Sequence, residues 1–169
     1  MWRESGEEAV VQRVILPSLQ ATIEAQIQAI FDNAQRRSHP AIRELGNRMQ
    51  AFLGGDPVAF ALDSIALEDC SVFQQRVLRA EHGIPRGWVS TYGLIADHLG
   101  AERAGRAVGT ALAHNPFPLI IPCHRAIRSN GDLGGYQGGL NMKRRLLEME
   151  GVPISETGKV IVPRLYYSR

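Results

Sequence analysis

Cys123 stands between Pro122 and His124, directly after the apolar run Leu119-Ile120-Ile121 and ahead of the glycine-rich stretch SNGDLGGYQGG. A thiol attacks only as thiolate, and an unperturbed pKa of roughly 8.5 leaves little thiolate at neutral pH. To act as a nucleophile, Cys123 needs a base or a positive neighbour. His124 is adjacent, but neighbouring side chains of an extended segment point to opposite sides, so contact would run through a water or a local turn. Glu150 lies further on and could orient the imidazole and stabilise its charged form, the logic of nucleophile, base and orienter. The same dipeptide also fits a thiol hydrolase, or a buried pair with no chemistry, and spacing does not choose among these.

Such residues need elements to hold them. The run Leu119 to Ile121 reads as a short extended buried segment that delivers Cys123 at its end. The glycines of SNGDLGGYQGG give a loop with unusual backbone angles. LNMKRRLLEMEG reads as a helix with Leu140, Leu146 and Leu147 inward and Gly151 as its stop. Upstream, Ser90 is a candidate cap for a helix through TYGLIADHL, with Leu94, Ile95 and Leu99 inward. Gly100 makes a turn, and ERAGRAVGTALAH follows as a second helix. Helix, glycine turn, helix fits a DNA-binding helix-turn-helix and equally an ordinary helical hairpin. In the second helix Ala104, Gly105, Ala107 and Gly109 surround Arg106, so one long arginine projects from a face smooth enough for close approach to another surface.

Earlier in the chain, Ile23, Ile27 and Ile30 place a helix in Gln20 to Asn33. A second helix covers Ala41 to Leu53, closed by the Gly54-Gly55-Asp56-Pro57 turn. VAFALDSI alternates in part and suits a strand. A third helix runs from Phe73 to His82, with Phe73, Val77 and Leu78 on one face. No element is assigned before Gln20. GKVIVPRLYYSR is a tail with one candidate strand.

At 169 residues the chain is long enough for one large domain or two small ones, and its apolar fraction of 44% supplies a real core. MWRESGEEAV has no apolar h-region, so no signal peptide is expected. No apolar run approaches the ~18 residues of a membrane span. A soluble protein of the cytoplasm, associated with the nucleoid, is the expectation. Cys70 and Cys123 are the two cysteines, expected as free thiols. With no CxxC and no His pair at zinc-finger spacing, a structural zinc site is not expected. Net charge is +2, but basic residues outnumber acidic ones between Ile84 and Glu150. That permits a nucleic-acid partner without demanding one.

VSTYGLIADHLG, GRAVGTALAHNP, IPCHR and GDLGGYQGGLNMKRRLLEMEG, in this order, resemble the alkylguanine-DNA alkyltransferases, also called methylated-DNA–protein-cysteine methyltransferases. The likeness covers about Phe73 to Val152. It implies an α/β (α+β) fold: a small N-terminal α/β domain over 1–69, a helical C-terminal domain with a winged-helix-like helix-turn-helix over 70–152, and a tail over 153–169. It implies stoichiometric, irreversible transfer of an alkyl group from the 6-oxygen of guanine to Cys123, with no metal or organic cofactor. The partner would be double-stranded DNA carrying alkylated guanine, met through the minor groove with little sequence preference by a monomer.

The resemblance also implies roles. Cys123 is the acceptor, His124 the base acting through a water, Glu150 its orienting carboxylate, and Asn115 the link between recognition helix and active-site segment. Tyr92 lies near the backbone phosphate and the flipped base, and Arg106 fills the gap left in the stack. Tyr136 walls the pocket, Leu112 and Pro118 pack against it, and Gln137 presents a backbone N–H to the guanine oxygen. Arg103, Ala104, Gly105 and Arg125 fall on the DNA side. The alternative is an alkyltransferase-like protein that binds alkylated DNA without transfer and recruits other repair; the presence of Cys123 with His124 and Glu150 argues against it. CSVFQ departs from the family's usual lead into the third helix, which makes Cys70 a small apolar filler. Trp88 also stands where a polar residue is common.

Overall fold

A computed structural model describes residues 1–169 apart from 6–7, 18–19, 163 and 169. The fold is mixed α and β. It opens with an antiparallel hairpin, β1 (Trp2–Ser5) and β2 (Glu8–Val11), in register Trp2 to Val11. No strand was expected there, because only Ala9 and Val11 enter the core and four-residue strands carry little periodicity.

Helix α1 (Ile23–Ile30) is capped by Thr22 and buries none of its residues; Ile30 is 44% exposed. Helix α2 (Pro40–Leu53) starts on proline, whose missing N–H costs nothing in a first turn. It sends Phe52 into the core. The expected strand at VAFALDSI does not form. Phe60 and Ile65 turn inward and Ala59 and Ala61 outward, so the alternation is real. What is missing is a partner: only Ile65 bridges to Val11, with Val11 N–H donating to Ser64 O at 2.8 Å.

A 3-10 turn at Leu67–Asp69 leads into α3 (Val72–His82), capped by the Ser71 hydroxyl. Two residues of parallel ladder, β3 (Ser90–Thr91) against β4 (Ala126–Ile127), tie the start of the next helix to the chain just after Cys123. Helix α4 (Tyr92–His98) is capped by Thr91, whose Oγ1 accepts from Leu94 N–H at 3.1 Å. The expected cap, Ser90, instead donates its buried hydroxyl to Tyr166 O at 2.6 Å.

Helix α5 (Gly105–Ala113) begins three residues later than the pattern suggested. Arg103 sits at φ 62°, a left-handed conformation that cannot continue a helix. Helix α6 (Gly139–Met149) buries Lys143, Leu146 and Leu147, whereas Leu140 is 56% exposed and not inward as its spacing suggested.

One hydrophobic cluster runs through both halves of the chain, from Val11, Phe52 and Phe60 to Ile95, Leu112 and Cys123. A smaller one, Val89, Ile127, Leu147, Val152 and Val160, lies beneath the short ladder. The tail forms single bridges rather than a strand, Asp132 with Lys159 and Ile154 with Val160. It is nevertheless tied down. Tyr166 N–H donates to Val89 O at 2.8 Å, the Tyr167 hydroxyl donates to Ala80 O at 2.8 Å, and Tyr167 stacks on His98 at 3.9 Å. Trp88 meets Tyr166 edge-on at 6.0 Å, so part of this exposed ring covers the tail.

Candidate active site

The segment from Asn115 to Pro122 is a tight loop, not the expected extended run. Pro118 bridges to Ile121, Ile121 N–H donates to Phe117 O at 2.8 Å, and Leu119 is held at φ 74°. Asn115 makes this possible. Its side chain, 1% exposed, donates to Ile121 O at 3.1 Å and accepts from Phe117 N–H at 2.9 Å. The amide thus joins the end of α5 to the approach to Cys123, a positioning role. Cys123, His124 and Arg125 then form a 3-10 turn.

That turn separates the three side chains. Cys123 faces a cavity of about 360 Å³, lined also by Tyr92, Gly109, Leu112, Arg128, Tyr136 and Gln137. The volume falls in the range of small-molecule sites. His124 points inward and is fully buried; its Nε2 lies 3.0 Å from Glu150 Oε1. A proton on Nε2 facing the carboxylate leaves Nδ1 as the basic lone pair. Among the described residues Nδ1 is buried without a hydrogen-bond partner. Phe52 and Tyr136 flank the ring at 6.2 and 6.3 Å, so a residue of the N-terminal half helps fix the imidazole.

Arg125 is a correction. The resemblance put it on the DNA side, but it is 8% exposed and turned inward. Its Nε donates to Glu150 Oε2 at 2.8 Å, Nη2 to Oε1 at 2.7 Å and Nη1 to Ile84 O at 2.5 Å. A bidentate pair of this kind uses the planar guanidinium fully and leaves little of it for a phosphate. Burial alone would raise the Glu150 carboxyl, but the hydrogen bonds from His124 and Arg125 outweigh it and hold the group at about 2.

The rest of the site is shaped by close contacts. Gly134, at φ 71°, lies so near Tyr92 that a Cβ there would meet the phenol oxygen at 2.6 Å. Gln137 donates its amide to Asn115 O at 2.7 Å and Ala113 O at 3.1 Å, pinning the glycine loop to the end of α5. Leu112 is buried and lines the cavity; Pro118 is buried too and is not among the lining residues.

Arg103 and Arg106 are exposed at the start of α5. Gly105 and Ala104, both part-exposed, also make contacts within the fold. A Cβ on Gly105 would lie 3.4 Å from Gly93 N, so this small residue lets α5 cross α4 closely, and Ala104 packs on the core. Cys70 lies outside the cavity, half-buried, with its thiol pushed up by burial.

Two buried charges were missed. Lys143 and Glu81 are both fully buried near Cys123. Each was legible as a charge on an inward stripe: Lys143 precedes Leu146, Leu147 and Glu150 by three, four and seven residues, and Glu81 follows Val77 and Leu78 by four and three.

Electrostatically the cavity favours a neutral thiol. Burial pushes Cys123 up to about 12, with the Asn115 side chain and Lys143 pulling the other way. Burial also lowers His124, partly countered by Glu150. Burial raises the Tyr92 phenol to about 12 and lifts Tyr136 as well, so both rings remain protonated.

A helix-turn-helix, α4 and α5, thus borders a cavity lined by Cys123, with the His124–Glu150 pair behind the sulfur. Residues 72–152 match the family model described as 6-O-methylguanine DNA methyltransferase, DNA binding domain. A methylated-DNA–protein-cysteine methyltransferase of Methanothermobacter thermautotrophicus is 47% identical over 114 residues, 68% of this chain and 64% of that protein. The chain thus spans less than two-thirds of that relative's length. The crystal structure of the Mycobacterium tuberculosis O6-methylguanine methyltransferase superposes with TM-score 0.66 at 33% identity, covering 92% of this chain and 95% of that one. Mycobacterium tuberculosis OGT in complex with DNA gives TM-score 0.60 at 40% identity over 70% of this chain and 75% of that one. The chain belongs to the methylated-DNA–protein-cysteine methyltransferase family.

Proposed function

We propose that the protein repairs DNA directly, by moving a methyl or other small alkyl group from the 6-oxygen of guanine onto Cys123. The observation that carries this is the placement of a single cysteine sulfur on the wall of a cavity bordered by the helix-turn-helix, with His124 and Glu150 behind it. The alkyl carbon of a paired guanine is out of reach inside the duplex, so the base must leave the stack, at a cost of a few kcal/mol. Arg106, exposed on the second residue of α5, is the side chain available to enter the gap. Phosphate contacts by the exposed arginines position the duplex without reading its sequence.

In the cavity, sulfur, alkyl carbon and guanine oxygen must lie in line, and the rigid turn supplies that orientation. The thiol proton passes through a bridging water to Nδ1 of His124, and Glu150 stabilises the imidazolium. The sulfur lone pair forms the new S–C bond as the C–O bond breaks, and its electron pair returns to the guanine oxygen. The proton taken from the thiol ends on a ring nitrogen, restoring neutral guanine. The thioether left on Cys123 has no thiolate to regenerate, so each molecule acts once, as a monomer on the minor-groove side.

The test is Cys123→Ser. An alcohol is a far weaker acid than a thiol and a poorer nucleophile at neutral pH, so methyl uptake from a methylguanine duplex is abolished while DNA binding stays near the parent level. Retained uptake by this variant would refute the reading.

A further inference from the structure

The lining of the Cys123 cavity carries one charged side chain, Arg128, and the chemistry above does not use it. Arg128 borders the same space as Cys123 and Tyr92, at the start of an exposed stretch directly after β4. The parallel register sets Thr91 beside Ile127, so Arg128 emerges next to Tyr92, and its charge acts on the Tyr92 phenol.

The backbone at Arg128 is fixed on both sides. Its N–H donates to Asp132 O at 2.9 Å, and its carbonyl accepts from Gly131 N–H at 3.0 Å. The side chain has no hydrogen bond, ion pair or ring contact among the described residues. Asp132, the nearest carboxylate in sequence, is engaged on both oxygens. Its Oδ2 accepts from Asn130 Nδ2 at 2.8 Å, and its Oδ1 lies 3.6 Å from Lys159 Nζ. The guanidinium thus stands at the cavity mouth with its donors available to an anion.

Depth decides which anion. Cys123 is 5% exposed, whereas Arg128 is exposed. A guanine whose alkyl carbon meets the sulfur has its oxygen edge at the floor of the cavity, and its sugar and phosphates stay at the rim. The alkyl group therefore lies with Cys123, and the phosphates lie with Arg128. The other wall bears Arg106. On α5, Arg106, Gly109 and Ala113 share one helix face, and Gly109 and Ala113 line the cavity. Arg106 is assigned to the gap in the stack, which leaves Arg128 as the cation for the backbone.

We propose that Arg128 is a binding residue that holds a phosphate of the extruded nucleotide at the mouth of the cavity, so that the site takes alkylated nucleotides in preference to substrates without phosphate. The inference rests on the repair reading, with Cys123 as the acceptor.

The experiment compares wild type with Arg128→Gln. Methyl uptake is read by intact-protein mass spectrometry from methylguanine deoxynucleoside and from the same nucleoside as its 3′,5′-bisphosphate. Wild type takes methyl from the bisphosphate about tenfold faster at subsaturating concentration, the effect of one charge-assisted pair at a surface. Arg128→Gln reacts at the wild-type rate with the nucleoside and no faster with the bisphosphate. Arg128→Lys keeps a point charge and retains part of the preference. Arg106→Ala retains most of it, since neither small substrate has a stack to leave.

Duplex binding gives a second reading, made in a Cys123→Ser background so that no methyl moves. One phosphate contact fewer lowers the slope of log affinity against log salt by about 0.9, so the loss caused by Arg128→Gln shrinks about 3.5-fold between 50 and 200 mM salt. This change of slope occurs with the methylguanine duplex and not with the same duplex unmodified, in which the base stays stacked.

Equal slowing on nucleoside and bisphosphate would overturn the proposal, because it marks a wall contact. An equal change of slope on both duplexes would also overturn it, because it marks a general DNA contact. So would a loss confined to carboxymethylguanine nucleoside, since Arg128 would then read the alkyl group. Wild type that takes up no methyl from any substrate sinks the repair reading alone; the salt slopes still decide the role of Arg128.

Discussion

Replacing Glu150 by glutamine keeps the shape of the side chain and removes its charge. In the native protein Oε1 accepts from His124 Nε2 and Arg125 Nη2, and Oε2 accepts from Arg125 Nε. A glutamine oxygen can serve the first two donors, but its NH2 then faces Arg125 Nε, a donor against a donor. The Glu150 side chain has no exposed surface, so neither water nor a shifted rotamer relieves the conflict. The size of the effect follows from acidity. Folding takes the carboxyl from an ordinary 4.5 to about 2, which at neutral pH corresponds to about 3 kcal/mol of stability.

Because the folded value is the depressed one, this stability is fully present above 4.5 and is lost as pH falls through about 2. Urea unfolding followed by the fluorescence of Trp2 and Trp88 should show Glu150→Gln destabilised by about 3 kcal/mol at pH 7 and by about 1 kcal/mol at pH 3. The same variant should transfer methyl more slowly at pH 7, since His124⁺ loses its counter-charge. A stability gap of equal size at both pH values would refute the idea that the charge of Glu150 holds the network.

Arg106→Ala should slow methyl uptake from duplex DNA by an order of magnitude or more, yet leave uptake from free methylguanine base nearly unchanged, because only the duplex requires extrusion; equal losses on both substrates would contradict it. Gly134→Ala meets the Tyr92 hydroxyl and a φ of 71°, so it should cost about 1–3 kcal/mol and slow transfer. Adding Tyr92→Phe removes the closest atom and should recover part of the lost stability, measured by thermal unfolding; no recovery would place the cost in the backbone alone.

Much of the C-terminal half was legible because its patterns are local. Gly100 turns and the glycines around Tyr136 announce a loop, although the cap of α4 falls on Thr91, one residue beyond the expected Ser90. Cys123, His124 and Glu150 were singled out by residue type, and His124 and Glu150 do meet. What escaped was set by contacts distant in sequence. Arg125 looked like a DNA ligand because nothing nearby shows that Glu150 and Ile84 O claim its guanidinium. The close approach of Gly105 to Gly93 is likewise a tertiary fact that no local pattern shows. VAFALDSI alternated as a strand should, but a strand also needs a partner, and β2 supplies a single rung. The tail carried no periodicity; its order comes from Tyr166 and Tyr167 meeting Trp88, His98 and Ala80.

The most direct test mixes the protein with excess duplex containing one methylguanine and follows it by intact-protein mass spectrometry, then tryptic mapping. The peptide running from Ala107 to Arg125 contains Cys123, and the peptide from Met49 to Arg76 contains Cys70. The account predicts a single added methyl per protein molecule, on Cys123, with uptake that stops once the protein is consumed. Methyl on Cys70, or repair of many duplexes by each protein molecule, would contradict it.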